Sequence, residues 1–251
     1  MICSLLLDLN DSPDFPDNKG SALGRPLAAY PLLAARSSPQ IRRHYAVTDS
    51  PAVKAVALQY GAVIADWPAL RTPAVETLLA HGARFIQEDL KGEEGLELLA
   101  VFFANAPAVT VDLVERGLEA LQARPELDSA TSVSPHNRLS PFLARRQTQE
   151  GLLEPYVPFD PEASGEVWHP DWGVQILRPR LIEERPGPGP WSWLGRKVLA
   201  LKQWGGGPID YRSQIPALEY WLKKHGFSDL TAHLEPQPKP QPQAAPKGDR
   251  R

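Results

Sequence analysis

An α/β fold with a mainly parallel sheet flanked by helices is predicted by three observations. Strand-like and helix-like segments alternate through the first half of the chain, the pattern that crossover connections produce. Segment 2–7 is largely apolar and reads as a short buried strand, and 98–103 is a continuous apolar run, as expected where both faces of a strand are covered. Hydrophobic residues are 42% and charged residues 23% of the 251 positions. That is enough apolar material for a sizeable core, in one α/β domain or two small ones.

The elements follow in order. The run 2–7 is a short buried strand; Asp8 follows it at once, and no basic start precedes it, so it reads as a strand rather than a signal peptide. Segment 27–35 is apolar and alanine-rich, and Pro26 suits a first helical turn. Residues 44–47 form the second strand. Segment 51–60 carries Ala52, Val53, Val56 and Ala57 at helical spacing, with Gly61 just past its end. A third strand at 62–64 and a helix over 73–87 come next. After the strand at 98–103, Val111, Val114, Leu118 and Leu121 mark one face of a helix. A strand follows at 129–133. The second half is less regular, with strands at 174–177 and 198–201 and a Pro/Gly loop at 185–190. A last amphipathic helix carries Ile215, Leu218 and Leu222 and ends near His225–Gly226. Ligands of such sheets sit beyond the carboxyl ends of the strands. Interest therefore falls on the loops after Leu7, Val47, Ile64 and Phe103.

Charge and composition narrow the function classes. The net charge of −3 argues against a general nucleic-acid binder. The single cysteine, Cys3, excludes an internal disulfide framework and a cysteine-rich zinc site; it fits a cytoplasmic protein. No run of about 20 apolar residues predicts a membrane span. Proline is abundant, at 27 of 251. Five of these prolines lie in 236–251, a segment without an apolar face and with net charge +3, expected to be an extended, disordered tail. The expected organisation is one α/β domain over 1–235 followed by that tail.

Several short patterns then occur in one order. They are Gly24-Arg25-Pro26-Leu27 with Tyr30, Val47-Thr48-Asp49-Ser50 with Tyr60-Gly61-Ala62, and Asn105-Ala106-Pro107 with Thr110. Asp128-Ser129-Ala130-Thr131-Ser132-Val133 with Ser140-Pro141 follows, then Val167-Trp168, Gly173-Val174 and Arg178-Pro179-Arg180. The series closes on Ile209-Asp210-Tyr211-Arg212-Ser213-Gln214-Ile215-Pro216, running to Glu219-Tyr220-Trp221-Leu222. Together they resemble the acylneuraminate cytidylyltransferases, the CMP-sugar synthetases, over roughly residues 2–226. The resemblance implies a glycosyltransferase-A-like nucleotidyltransferase fold. It implies transfer of CMP from CTP to the anomeric hydroxyl of a sialic-type (nonulosonic) acidic sugar, with release of pyrophosphate. It also implies Mg2+ as cofactor and a homodimer.

Phosphoryl transfer rests on positioning and charge neutralisation, so the phosphate-facing positions matter most. The family's first loop, of the type R-x-G-S-x-x-x-P-x-K-N, reads here from Leu9 to Lys19. Leu9 takes the arginine position, Asn10-Asp11 the glycine pair, and Pro13, Asp14 and Asp17 intrude. By the resemblance Ser12 and Asn18 contact the nucleotide. Lys19 is the catalytic lysine if the loop slips by one residue; otherwise Asp17 takes its place. Trp67-Pro68 replaces the family's Arg-Pro; Trp67 is expected to pack in the core, and Arg71, one turn on, is positioned to supply the missing charge to the nucleotide. The family's D-x-D before the last helix reads Pro208 and Asp210, so Asp210 is the remaining candidate as catalytic and metal-binding residue. Magnesium can be held by one carboxylate with substrate phosphates. Asp49 ends the second strand, where it either caps the next helix or faces the nucleotide. Asn105, Ser140 and Arg145 are the sugar-binding candidates, Asn105 through its amide and Arg145 as a bidentate partner of the sugar carboxylate.

Three other features carry less. His169-Pro170-Asp171 has no nucleophile or third ligand tied to it by spacing. Gly205-Gly206-Gly207 does not follow a strand into a helix, so it fails the context of a dinucleotide fingerprint. Trp191, Trp193 and Trp204 read as core or dimer surface. The substituted loop and Pro208 leave open a second expectation, a catalytically impaired relative acting as a binding or regulatory partner.

Overall fold

The computed structural model of the chain describes residues 1–9, 13–15, 20–67, 74–162 and 165–230, with Arg138 described through its backbone alone. The proline-rich segment 236–251 therefore lies outside the described residues.

The strands are β1 (Ile2–Leu7), β2 (Ser21–Ala22), β3 (Arg25–Pro26), β4 (Arg43–Thr48), β5 (Val63–Asp66) and β6 (Leu98–Phe103). They continue with β7 (Ser129–Pro135), β8 (Arg145–Gln147), β9 (Leu153–Pro155), β10 (Trp168–Leu177) and β11 (Val198–Lys202). The helices are α1 (Ala29–Ser37), α2 (Pro51–Gln59), α3 (Val75–Asp89), α4 (Val111–Ala123), α5 (Arg180–Glu184) and α6 (Ile215–Lys224).

Seven strands form one sheet in the order β11-β7-β10-β6-β1-β4-β5. Every pairing is parallel except those of β10, which runs antiparallel to both β6 and β7. The expected mainly parallel, helix-flanked sheet is what the chain adopts. Both faces are covered, and the strands alternate between two cores accordingly. In β6, Leu98, Ala100 and Phe102 join the cluster under α1, α2 and α4, whereas Leu99, Val101 and Phe103 join the one under α3 and α5. All six residues of β1 and of β6 are buried, which accounts for the apolar character of both segments.

Local sequence sets most element ends. Ser50 caps α2 by accepting from the Val53 N–H, and Thr110 caps α4 by accepting from Leu113. Asp49 is therefore not the cap of α2; Ser50 is. Pro26 is also not a helix start. It sits in a small hairpin, β2–β3, whose turn residues Leu23 and Gly24 both have positive φ, the geometry of a tight two-residue hairpin turn. α1 begins only at Ala29.

The order of connections positions the site. From β1 the chain steps outward to β4 and β5, then α3 returns it to β6 on the opposite side of β1. The winding reverses between β1 and β6, and a crevice opens beyond the carboxyl ends of these two strands.

Candidate active site

A cavity of about 160 Å³ lies at that reversal, lined by Leu9, Asn105, Trp172, Pro208 and Asp210. Leu9 follows β1 and Asn105 follows β6, so the topology brings both to the rim. Asn105 is buried, and its Nδ2 donates to Asp210 Oδ1 at 3.0 Å. The two residues that the sequence put forward as sugar and metal contacts are thus neighbours across 105 positions.

Asp210 is held by its surroundings on several sides. Its own N–H and that of Tyr211 both donate to Gln214 Oε1 at 2.8 Å. Gln214 Nε2 donates to the Pro208 carbonyl at 3.0 Å. The Ile209 N–H donates to the Asn105 carbonyl at 2.7 Å, which fixes the segment to the end of β6. Ile209 and Asp210 are loop residues. The first loop reaches the same segment. Asp14 N–H donates to the Asp210 carbonyl at 3.3 Å, and Asp14 Oδ2 accepts from the Arg212 N–H at 2.9 Å. Asp14 is thereby engaged with the backbone of the Asp210 segment. Phe15 is buried beside Leu27 and Ile209.

Two buried acids flank the cavity that sequence reasoning did not select. Asp8 stands directly after β1 and is buried; Thr48 Oγ1 donates to its Oδ2 at 2.6 Å, and the same hydroxyl accepts from the Ser50 N–H at 3.0 Å. An acid placed immediately after an apolar strand was the available signal. Asp171 lies in an irregular stretch of β10. Between Pro170 and Gln175, β10 advances five residues while β7 retreats two, from Val133 to Thr131. The extra residues form a bulge with Trp172 at φ 63°, an unusual conformation for a bulky side chain. Its ring packs edge-to-face on Phe103 at 4.6 Å and Trp191 at 6.0 Å, and lines the cavity. Trp193 is buried and donates to Gln175 Oε1 at 2.9 Å, and Trp191 is half-buried; Trp204 is 46% exposed against Tyr220 and Trp221.

The other candidates lie elsewhere. Asp49 is half-buried between β4 and α2 and does not line the cavity. Ser140 Oγ accepts from the Phe142 N–H at 3.3 Å within its own turn. Arg145 is exposed at the base of the β8–β9 hairpin and donates to the Phe142 and Ala144 carbonyls. Neither Ser140 nor Arg145 lines the cavity. Ser12, Asn18, Lys19 and Arg71 lie outside the described residues. Trp67 packs against the core beside α3, with its ring 4.9 Å from that of His81. His169 faces His136 at 5.8 Å, while Asp171 is engaged by serines and a glutamine. Burial pushes the Cys3 thiol up to about 11, so this cysteine is no nucleophile at neutral pH.

The donor set around Asp210 is hard oxygen, which suits magnesium rather than a soft metal. Among the described residues one carboxylate lines the cavity, so a bound Mg2+ would take its remaining ligands from phosphate and water. Among the described residues no group of three or more His, Cys, Asp or Glu is arranged to hold a metal ion. No helix among them is long and apolar enough to cross a membrane.

No protein-family model matches the chain, and no curated protein sequence matches it. Solved structures do. A CMP:2-keto-3-deoxy-manno-octonic acid synthetase complexed with CTP superposes with a TM-score of 0.61 at 13% identity, covering 89% of this chain and 99% of the other. A 4-diphosphocytidyl-2C-methyl-D-erythritol synthase from Anaerococcus prevotii gives 0.59 at 14% identity, covering 89% and 96%. A cytidylyltransferase from Leptospira borgpetersenii gives 0.54 at 9%, covering 89% and 87%. At such identities the likeness carries the fold alone, and the fold is the one these three structures share.

Proposed function

We propose that this chain is a cytidylyltransferase. It transfers CMP from CTP to the anomeric hydroxyl of an acidic sugar of the sialic (nonulosonic) type and releases pyrophosphate. The observation that carries this reading is the meeting of Asn105 and Asp210 in a cavity at the point where the sheet's winding reverses, in a fold shared with structures whose names record cytidylyl transfer and, in one, bound CTP.

Asp210 and Asn105 have tasks that their surroundings suit. Asp210 would hold Mg2+, and Asn105 orients the carboxylate through its Nδ2–H. Mg2+, when bound there, would supply neutralisation of charge on the phosphates and on the pyrophosphate leaving group. Gln214 and the Asn105 carbonyl fix the backbone on which Asp210 is carried, so the carboxylate needs little reorganisation when the nucleotide arrives. The resemblance assigns Ser12, Asn18, Asp49 and Arg71 to the nucleotide, Lys19 to catalysis, and Asn105, Ser140 and Arg145 to the sugar; of these, Asp49, Ser140 and Arg145 lie off this cavity. The chain works as a homodimer. Leu143, Leu152, Leu153 and Tyr156, all exposed on or beside the β8–β9 hairpin, support that reading.

A second reading keeps nucleotide binding and loses turnover, leaving a binding or regulatory partner. Pro208 favours it, because it lines the cavity where the resemblance places a second carboxylate. One experiment separates the two. Purified protein is incubated with CTP, Mg2+ and a panel of nonulosonic and 3-deoxy-octulosonic acids, and pyrophosphate is measured. Release that falls at least about 100-fold (close to 3 kcal/mol of barrier) in Asp210→Ala supports the enzyme. CTP binding by calorimetry without release across the panel supports the partner. Absence of both overturns the cytidylyltransferase reading.

A further inference from the structure

The cavity has two walls that are far apart in sequence. One is Trp172 on the β10 bulge; the other is Pro208 and Asp210, carried by the loop that runs on from Gly205. Both are tied to the same buried carboxylate. Asp171 is 2% exposed. It accepts from Ser132 Oγ, from Ser134 Oγ at 2.7 Å, from Gln203 Nε2 at 2.8 Å and from the Gly173 N–H at 3.2 Å.

The bonds divide between the walls. On the bulge side, the Gly173 N–H binds Asp171 directly, and the Val174 N–H binds Ser132 Oγ at 3.0 Å. These replace the ladder bonds that the bulge breaks, and they hold Trp172 at positive φ. On the loop side, the Gly206 N–H donates to Ser134 Oγ at 3.0 Å. Gln203, the residue after β11, spans from Asp171 to the Ala108 carbonyl at 3.0 Å. A Cβ at Gly206 would run into the Asp171 carboxylate, so only glycine lets the loop pass this close.

We propose that Asp171 is the positioning residue of the cavity: one buried carboxylate sets both the Trp172 wall and the Asp210 wall. The chemistry requires a carboxylate. All four partners donate, and an ionised carboxyl only accepts. An asparagine of the same shape offers one acceptor oxygen and turns an NH2 toward one pair of donors, so it must release part of the set.

The test is amide hydrogen exchange on the free protein, comparing wild type with Asp171→Asn and Ser134→Ala. Asp171→Asn is expected to speed exchange more than tenfold at Gly173, Val174 and Gly206, well beyond any change in β1 and β6. Ser134→Ala, which breaks the loop arm alone, is expected to speed Gly206 and leave Val174 within about threefold. Equal acceleration throughout the chain, or none at these amides, would overturn the proposal. So would acceleration of both walls by Ser134→Ala. Should Asp171→Asn fail to fold, the Ser134→Ala pattern decides, with Ser132→Ala expected to give the converse. A kinetic consequence rests on the cytidylyltransferase reading: Asp171→Asn lowers kcat more than tenfold while KM for CTP stays within about threefold. Exchange needs no substrate, so failure of that reading leaves the positioning test intact.

Discussion

Asp8 and Asp171 are both buried acids beside the same cavity, yet they are held over different ranges. Asp8 directly follows β1 and is bonded by Thr48, which ends the adjacent parallel strand β4. Two neighbouring strands with a fixed register suffice to bring the pair together. Asp171 gathers groups from β7, from its own bulge and from the residue after β11. The first arrangement follows from strand pairing alone. The second requires β7, β11 and the antiparallel strand β10 all to be in place. Short-range sites survive local damage better, whereas a hub that joins distant segments fails as a unit.

The largest effect expected from this contrast is on stability. Asp171→Ala leaves two hydroxyls, an amide and a backbone N–H without their acceptor, and should cost about 3 kcal/mol. Asp8→Ala should cost about 1–2 kcal/mol. Urea unfolding of both variants measures the difference, and a larger loss for Asp8→Ala would break the comparison. Next in size are the helix caps. Ser50→Ala on the β4 side and Thr110→Ala after β6 should each cost about 1 kcal/mol. Similar losses would show that cap strength does not distinguish the two sides.

The smallest effect is on pH dependence. His44 on β4 lies 2.8 Å from Ser4 Oγ, and burial, with the charge of Arg36, holds its pKa below the ordinary value. The unfolded chain then takes up a proton more readily than the folded one. Stability from His44 is therefore complete above about pH 6.5 and is lost as pH falls below it. Asp128 anchors the start of β11 by accepting from the Arg196 and Lys197 N–H groups at 2.8 and 3.0 Å. Partial burial pushes its carboxyl up, but the Lys197 and Arg196 N–H groups and the Arg180 and Lys197 charges outweigh this and hold it below its ordinary value. Its contribution is present above about pH 4 and is lost only in stronger acid. Unfolding midpoints measured from pH 7 to 3 should thus show two losses. His44→Gln should remove the upper one and Asp128→Asn the lower.

Much of this was legible in the chain. Apolar runs, cap residues and Gly61 located β1, β6, α2 and α4 to within a few residues, because burial on both faces and backbone capping are written locally. The ordered motifs singled out Asn105 and Asp210, which the fold brings within hydrogen-bond distance of each other. What escaped was whatever depends on a turn or an irregularity. Pro26 reads equally well as a helix start or a hairpin residue, and only the Leu23–Gly24 turn chooses between them. Strand β10 is ten residues long, but the expected strand covered 174–177, since the bulge at Trp172 interrupts its period of two.

Alternation of apolar segments was enough to specify a layered α/β sheet, since periodicity is a property of neighbours in the chain. The crevice between β1 and β6, the antiparallel course of β10 and the gathering of Ser132, Ser134 and Gln203 on Asp171 belong to the folded molecule. They depend on which strands lie side by side, and hydrophobic pattern selects the face a residue takes without selecting its neighbour across the sheet.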